Sequence, residues 1–296
     1  MAQPAPREVA AAYAGVQRAA DREVLRVLRD AYKDVNAQIS RIARDRSAPA
    51  ALKRARLLAL KQGILEEQSK VFREIGKIVE ARRTEAAARA IRVSGRYDQV
   101  LFDAIGEGAL GRAVSRGLEE TEAQAVDAAV ARLNGSSTSL SQRVYRADVA
   151  VGRTLDRRIN SALARGLNAE QFAREIQDFV NPATPGGQRY AALRLARTEI
   201  NNAYHAMAVR AAQLKPWVNK VKWNLSLSHP RPDECNELAG RLYAPDAVPR
   251  KPHPMCLCFI TPEIDDSPEG DEDFLDGLVS GEFDEFLDQF ADRHSL

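Results

Sequence analysis

All three cysteines of this chain, and two of its four histidines, fall between Asn224 and Pro262. The stretch opens Ser228-His-Pro-Arg-Pro-Asp-Glu-Cys235 and, past a loop rich in Tyr and Pro, continues His253-Pro-Met-Cys256-Leu-Cys258. Thiolates and imidazoles are the ligands of tetrahedral zinc; Cys235, His253, Cys256 and Cys258 supply four, with His229 as an alternative nitrogen. In an extended segment, Cys256 and Cys258 point to one side with Cα atoms ~7 Å apart. The spacing Cys-x17-His-x2-Cys-x-Cys matches no standard finger, and no Cys-x-x-Cys pair is present. Three chemistries stay open. A structural zinc would staple a loop poor in apolar side chains. Plain buried thiols would serve as small apolar groups. A disulfide could join Cys235 to one of the pair.

Catalysis by a thiol needs a base within hydrogen-bond reach, which His253 or His229 could supply, with Asp233 and Glu234 to orient it. The linear order matches no nucleophile signature, and no Gly-rich phosphate cradle occurs, so the expectation is a non-enzymatic protein. Arg197 and Glu199, on one helix, are expected to form ion pairs.

The elements that must position these residues are mainly helical. Residues 7–93 read as two long helices broken at Ser47-Ala-Pro49. Val24, Leu28, Ala31, Val35 and Ile42 mark one stripe, and Leu57, Ile64, Val71 and Ile78, with Leu60 and Ile75, mark the other. Gln68 and Glu67 interrupt the second seam, which favours an intramolecular hairpin over a coiled coil. A turn is expected at Ser94-Gly95-Arg96, then helices near 97–112, 117–133, 140–165 and 169–180. Gly166 suits the residue past a helix end, and Asn168 with Gln171 suits a capping box. A helix over 188–214 carries an apolar stripe of Leu193, Ala196, Ile200, Ala203, Met207, Ala211 and Leu214, with Arg194, Arg197, Asn201 and His205 on a polar face. The period then changes to two around Val218–Asn224, and short strands are expected near 241–243 and 256–261. The fold class is mainly α: a long N-terminal helical hairpin (1–95) and a helical bundle (96–187), then a small α+β module (188–262) and an acidic tail (263–296).

The net charge of +2 conceals a division. Residues 263–296 hold 13 acidic side chains and one arginine, which leaves 42 basic against 28 acidic residues in the rest. A basic body meets polyanions; an acidic peptide docks elsewhere. Phe274, Leu278, Phe283, Phe286 and Phe290 space the acidic tail as an amphipathic helix would need for a partner's groove. The odd cysteine count fits a reducing compartment. Residues 1–15 are Pro/Ala-rich without an apolar segment, so no export by an ordinary signal is expected, and no stretch is apolar enough to span a bilayer.

Arg197-Thr-Glu199 with Asn202 and Ala203, Val221-Lys-Trp223, Asp233-Glu-Cys235, Leu238-Ala-Gly240, Tyr243, and His253-Pro-Met-Cys256-Leu-Cys258 with Pro262 resemble the Mu F-like phage head morphogenesis (minor capsid) proteins. The resemblance covers roughly residues 145–262. It implies a low-copy structural protein inside the virion head near the portal, present in host cytoplasm during assembly. The implied partners are the portal protein and a capsid or scaffolding protein. Double-stranded DNA would be contacted through phosphates without base reading. Many relatives carry a second cysteine near the position of Cys235; here Glu237-Leu238 stands in that place, so a metal must recruit His253 or His229. The alternatives are a phage-delivered hydrolase or nuclease using the Cys/His cluster, and a general DNA-binding protein.

Overall fold

The computed structural model describes residues 6–44, 50–105, 140–165, 167, 169–184, 187–215, 218–227, 229 and 232–263. The elements are α1 (Pro6–Arg44), α2 (Ala50–Ile105), α3 (Leu140–Ala164), α4 (Ala169–Val180), α5 (Gly187–Gln213), β1 (Lys220–Asn224), α6 (Glu234–Leu238), β2 (Leu242–Tyr243) and β3 (Phe259–Glu263). The fold is mainly helical, with one small antiparallel sheet near the end of the described chain. Among the described residues no helix is long and apolar enough to cross a membrane. The expected helix at 117–133, the Asn168 cap and the tail residues Phe274, Leu278, Phe283, Phe286 and Phe290 lie outside the described residues.

Two compact units emerge. One gathers described residues from 6–15, 84–105 and 201–263, the other from 16–83 and 140–200. This division does not follow chain order with boundaries near 95, 187 and 262. Its physical reason is helix length: α1 runs 39 residues and α2 runs 56. At ~1.5 Å per residue such helices outrun any one small core, so their two ends serve different ones.

In the unit built from 16–83 and 140–200, α1 and α2 pair as the expected antiparallel hairpin. Val24 and Leu28 share a buried cluster with Val71, Ile75 and Val79, while Val35 clusters with Leu60 and Ile64. Gln68, polar in the middle of the seam, is buried because its amide donates to the Asp148 carbonyl and carboxylate on α3, at 2.8 and 2.6 Å. That satisfies its donors and fixes the register of α3 on the hairpin. Ile176 and Phe179 of α4 close the same core, and α4 ends at Val180, just before Asn181-Pro182.

The second unit holds the sheet, in the order β2-β1-β3. Val221 stands opposite Tyr243 on one side and Pro262 on the other; Trp223 pairs with Ile260. Val221 and Trp223 point inward while Lys220 and Lys222 stay exposed, the period-two pattern of a half-buried strand. Two expectations are corrected here. Ser94-Gly95-Arg96 is not a turn: α2 runs through it to Ile105. Tyr97 and Asp98 are buried, Tyr97 beside Val9, Val93 and Phe259, and that packing outweighs the ~1 kcal/mol helix penalty of a glycine. The third strand begins at Phe259, so Cys256 and Cys258 precede it. Met255 sits at φ +62, and the carbonyls of Cys256 and Cys258 accept from Lys251, not from a neighbouring strand.

Candidate metal centre

Each cysteine is delivered by a different local device. Cys235 is the second residue of α6, whose cap is Asp233: the carboxylate accepts from the Cys235 amide at 2.8 Å, and the Asn236 side chain accepts from the Asp233 amide at 2.9 Å. This reciprocal cap substitutes Asn for the usual Glu or Gln and fixes a five-residue helix too short to stand alone. His229 is tied to the same cap, its Nε2 3.0 Å from Asn236 Oδ1 and 3.4 Å from Asp233 Oδ1. The Pro-rich loop turns His253 back onto the cap, and the left-handed Met255 then drives Cys256 inward.

The result is a convergence. Cys235 Sγ lies 3.2 Å from His253 Nε2 and 3.5 Å from Cys256 Sγ. The ligand atoms of Cys235, His253 and Cys256 all lie within 4.8 Å of one another, and this group could hold a metal ion. Cys258 is outside that group, though its buried thiol is near enough to bear on the titration of both Cys256 and Cys235. All three cysteines are buried free thiols. His229 faces Asn236 and Asp233, so His253 is the imidazole that reaches the sulfurs.

The electrostatics favour one thiolate. The Cys258 thiol donating to it, the Lys251 charge and the Cys258 amide hold Cys256 well below the ordinary thiol range, against burial. Cys235 moves up, through burial and its hydrogen bond to Cys256. Cys258 moves up for the same two reasons, the bond to Cys256 first. The Ser226 amide donates to the Cys258 sulfur and opposes this rise. Protons are thus held unequally among the three thiols, and Cys256 is the sulfur most readily ionised.

Residues that no motif flagged complete the site. The Cys256 carbonyl accepts from Asn201 at 2.9 Å, Lys251 at 3.0 Å and the Tyr13 hydroxyl at 3.4 Å. Burial lowers Lys251 to about 8, with the three cysteines pulling the other way. Tyr13 lies 243 positions from Cys256, so nothing local in the sequence announces it.

The other singled-out residues serve architecture. Arg197 pairs with Asp21 at 2.8 Å, and Glu199, buried, accepts from Arg143 at 2.6 Å, both as ion pairs. Asn202 is exposed. Trp223 is fully buried beneath the sheet, and Tyr243 packs against the same cluster. The expected polar face of α5 is largely buried: Asn201 is 1% and His205 8% exposed, while Arg194 faces solvent.

His205 carries a testable consequence. Its ring stands edge-on to Trp223 at 5.5 Å, Nε2 donates to the Pro249 carbonyl at 3.0 Å, and Nδ1 has no partner. Burial first, then the Lys251 charge, depress it from 6.5 to about 4. The unfolded chain therefore binds the extra proton first as pH falls, so this contribution is complete above pH 6.5 and is lost towards pH 4. Urea unfolding of wild type and His205→Gln should show their stability difference shift by about 3 kcal/mol between pH 7 and pH 4. A pH-independent difference would mean the ring is solvated.

No family model matches the chain, and no curated protein or solved structure matches it either.

Proposed function

We propose that this chain is a structural, non-enzymatic protein of a tailed-phage or prophage head, akin to the Mu F-like minor capsid proteins, with a zinc-stapled module at residues 220–263. The observation that carries the reading is the convergence of Cys235, His253 and Cys256 on one point of that module. A tetrahedral zinc with Zn–S of ~2.3 Å and Zn–N of ~2.0 Å has edges of ~3.5–3.8 Å. The separations of 3.2 and 3.5 Å sit just inside those edges, as expected of ligands drawn together by hydrogen bonds. The buried free thiol of Cys258, outside that group, would have to move in as the fourth ligand. Zinc bound by these residues would supply a rigid cross-link between α6 and the segment leading into β3. His253 Nδ1 faces the Pro254 carbonyl at 3.0 Å, while Nε2 points to Cys235 Sγ and also lies 3.2 Å from Asp233 Oδ2, a contact that a bound metal would replace.

The residues behind the family resemblance favour architecture over chemistry. Arg197 and Glu199 are tied into ion pairs, Trp223 is core, and Asp233 is a helix cap. Such a module anchors a protein to a larger assembly; the basic residues outside the tail suit packaged DNA, and the acidic tail suits a portal or scaffold surface. The test is co-purification with the portal protein encoded in the same genome. A stable complex is expected, weakened at least about tenfold when residues 264–296 are deleted, the scale set by losing one anchored apolar helix. Failure to form a complex at any salt concentration would overturn the capsid reading.

A further inference from the structure

Three thiolates and one neutral imidazole around a divalent ion leave a net charge of −1. A buried uncompensated charge costs several kcal/mol, so a cation is required close by. Resting on the metal reading above, we infer that Lys251 is the charge-balancing side chain of a centre formed by Cys235, His253, Cys256 and Cys258, and so fits that centre to three thiolates.

The geometry supports it from several sides. Lys251 Nζ donates to the Cys258 carbonyl at 2.6 Å and to the Cys256 carbonyl at 3.0 Å, the main chain of two of the four ligands. Its third bond goes to the Tyr13 hydroxyl at 3.1 Å, with the ammonium 5.0 Å from the centre of that ring. All three acceptors are neutral, and among the described residues no carboxylate pairs with this lysine. An ammonium held on neutral acceptors, among them the carbonyls of two of the four residues of the centre, is costly unless something anionic repays its desolvation. A three-thiolate metal site is that anion. The same bonds hold the Met255–Cys258 turn in shape, so position and charge must be separated by experiment.

Cobalt(II) serves as the probe, because its thiolate charge-transfer and d–d bands report ligand number directly. The full chain, reduced, should bind one cobalt ion with a tetrahedral spectrum. Lys251→Gln keeps a hydrogen-bond donor without the charge and should weaken binding by about tenfold or more, within the range typical of outer-shell substitutions, with the spectrum unchanged. Lys251→Arg keeps the charge and should stay within about threefold of wild type, given that long-range balance tolerates a change of donor shape. In a Cys258→His background the centre is neutral, so adding Lys251→Gln should cost less than about threefold. Equal weakening by Lys251→Gln in both backgrounds would reduce Lys251 to a backbone prop and overturn the inference. So would an unchanged affinity in Lys251→Gln. Absence of cobalt uptake by the wild type would instead remove the metal reading itself, and this inference with it.

Discussion

Stripping divalent metal from the reduced protein is expected to unfold residues 220–263 while leaving most of the helix signal in place. The segment has little regular secondary structure of its own. Its sheet has strands of five, two and five residues, and its helix α6 has five. Its buried cluster contains Val218, Val221, Trp223 and Ile260, but the remaining buried members on the loop side are the three cysteines. Without an ion, three buried thiols crowd a desolvated site; with one, they would become ligands, and binding energy would be folding energy. The expected loss is several kcal/mol, bounded by the roughly 10–16 kcal/mol apparent for structural zinc in small finger domains. Trp223 fluorescence and proteolysis would follow the module, and far-ultraviolet dichroism the helices. Cys256→Ser should destabilise to a similar degree and erase any further response to a chelator. If chelation changes neither signal, the cysteines are small apolar fillers and the zinc reading fails.

The sequence carried the elements whose signal is local. The end of α4 at Val180 and the inward alternation of Val221 and Trp223 are each written in a few neighbouring residues. The Cys/His cluster was legible too, because few side chains bind metals and they stand close together. What escaped notice depends on distance along the chain. Gly95 reads as a turn, yet Asp98, three residues on, is held by a lysine 117 positions later. Lys251 looks like one more surface cation in a basic chain until Tyr13 and two carbonyls close around it. Asn201 and His205 share a polar helical face that periodicity treats as ordinary, whereas the structure buries both against the loop that carries the site. Periodicity finds which face of a helix is apolar; it does not find a polar face whose partners lie fifty residues away.

Lys215→Met is expected to destabilise the protein by about 3–5 kcal/mol, because it removes the ammonium from a buried ion pair. Lys215 and Asp98 are each only 4% exposed and hydrogen-bond to one another, and Lys215 also donates to Ser94 Oγ at 2.6 Å. Taking two charges out of water is tolerated when they offset one another, so removing the ammonium withdraws the opposite charge from the buried carboxylate. Removing both should cost far less: Lys215→Met with Asp98→Leu replaces the pair by apolar groups of similar reach and should recover at least about 2 kcal/mol of the loss. Urea unfolding of the single and double variants measures this coupling; a single-variant cost below about 1 kcal/mol would mean that water reaches the pair. The effect should also reach the metal centre. Lys215 lies two residues past α5, where its amide donates to the Ala212 carbonyl at 3.3 Å, and its own carbonyl accepts from Val218 at 3.0 Å ahead of β1. The pair thereby sets where helix stops and sheet begins. β1 carries Trp223, and the segment after it brings the Ser226 amide to the Cys258 sulfur. Loosening that junction should therefore weaken cobalt binding in the Lys215→Met variant, and the double variant should restore affinity along with stability.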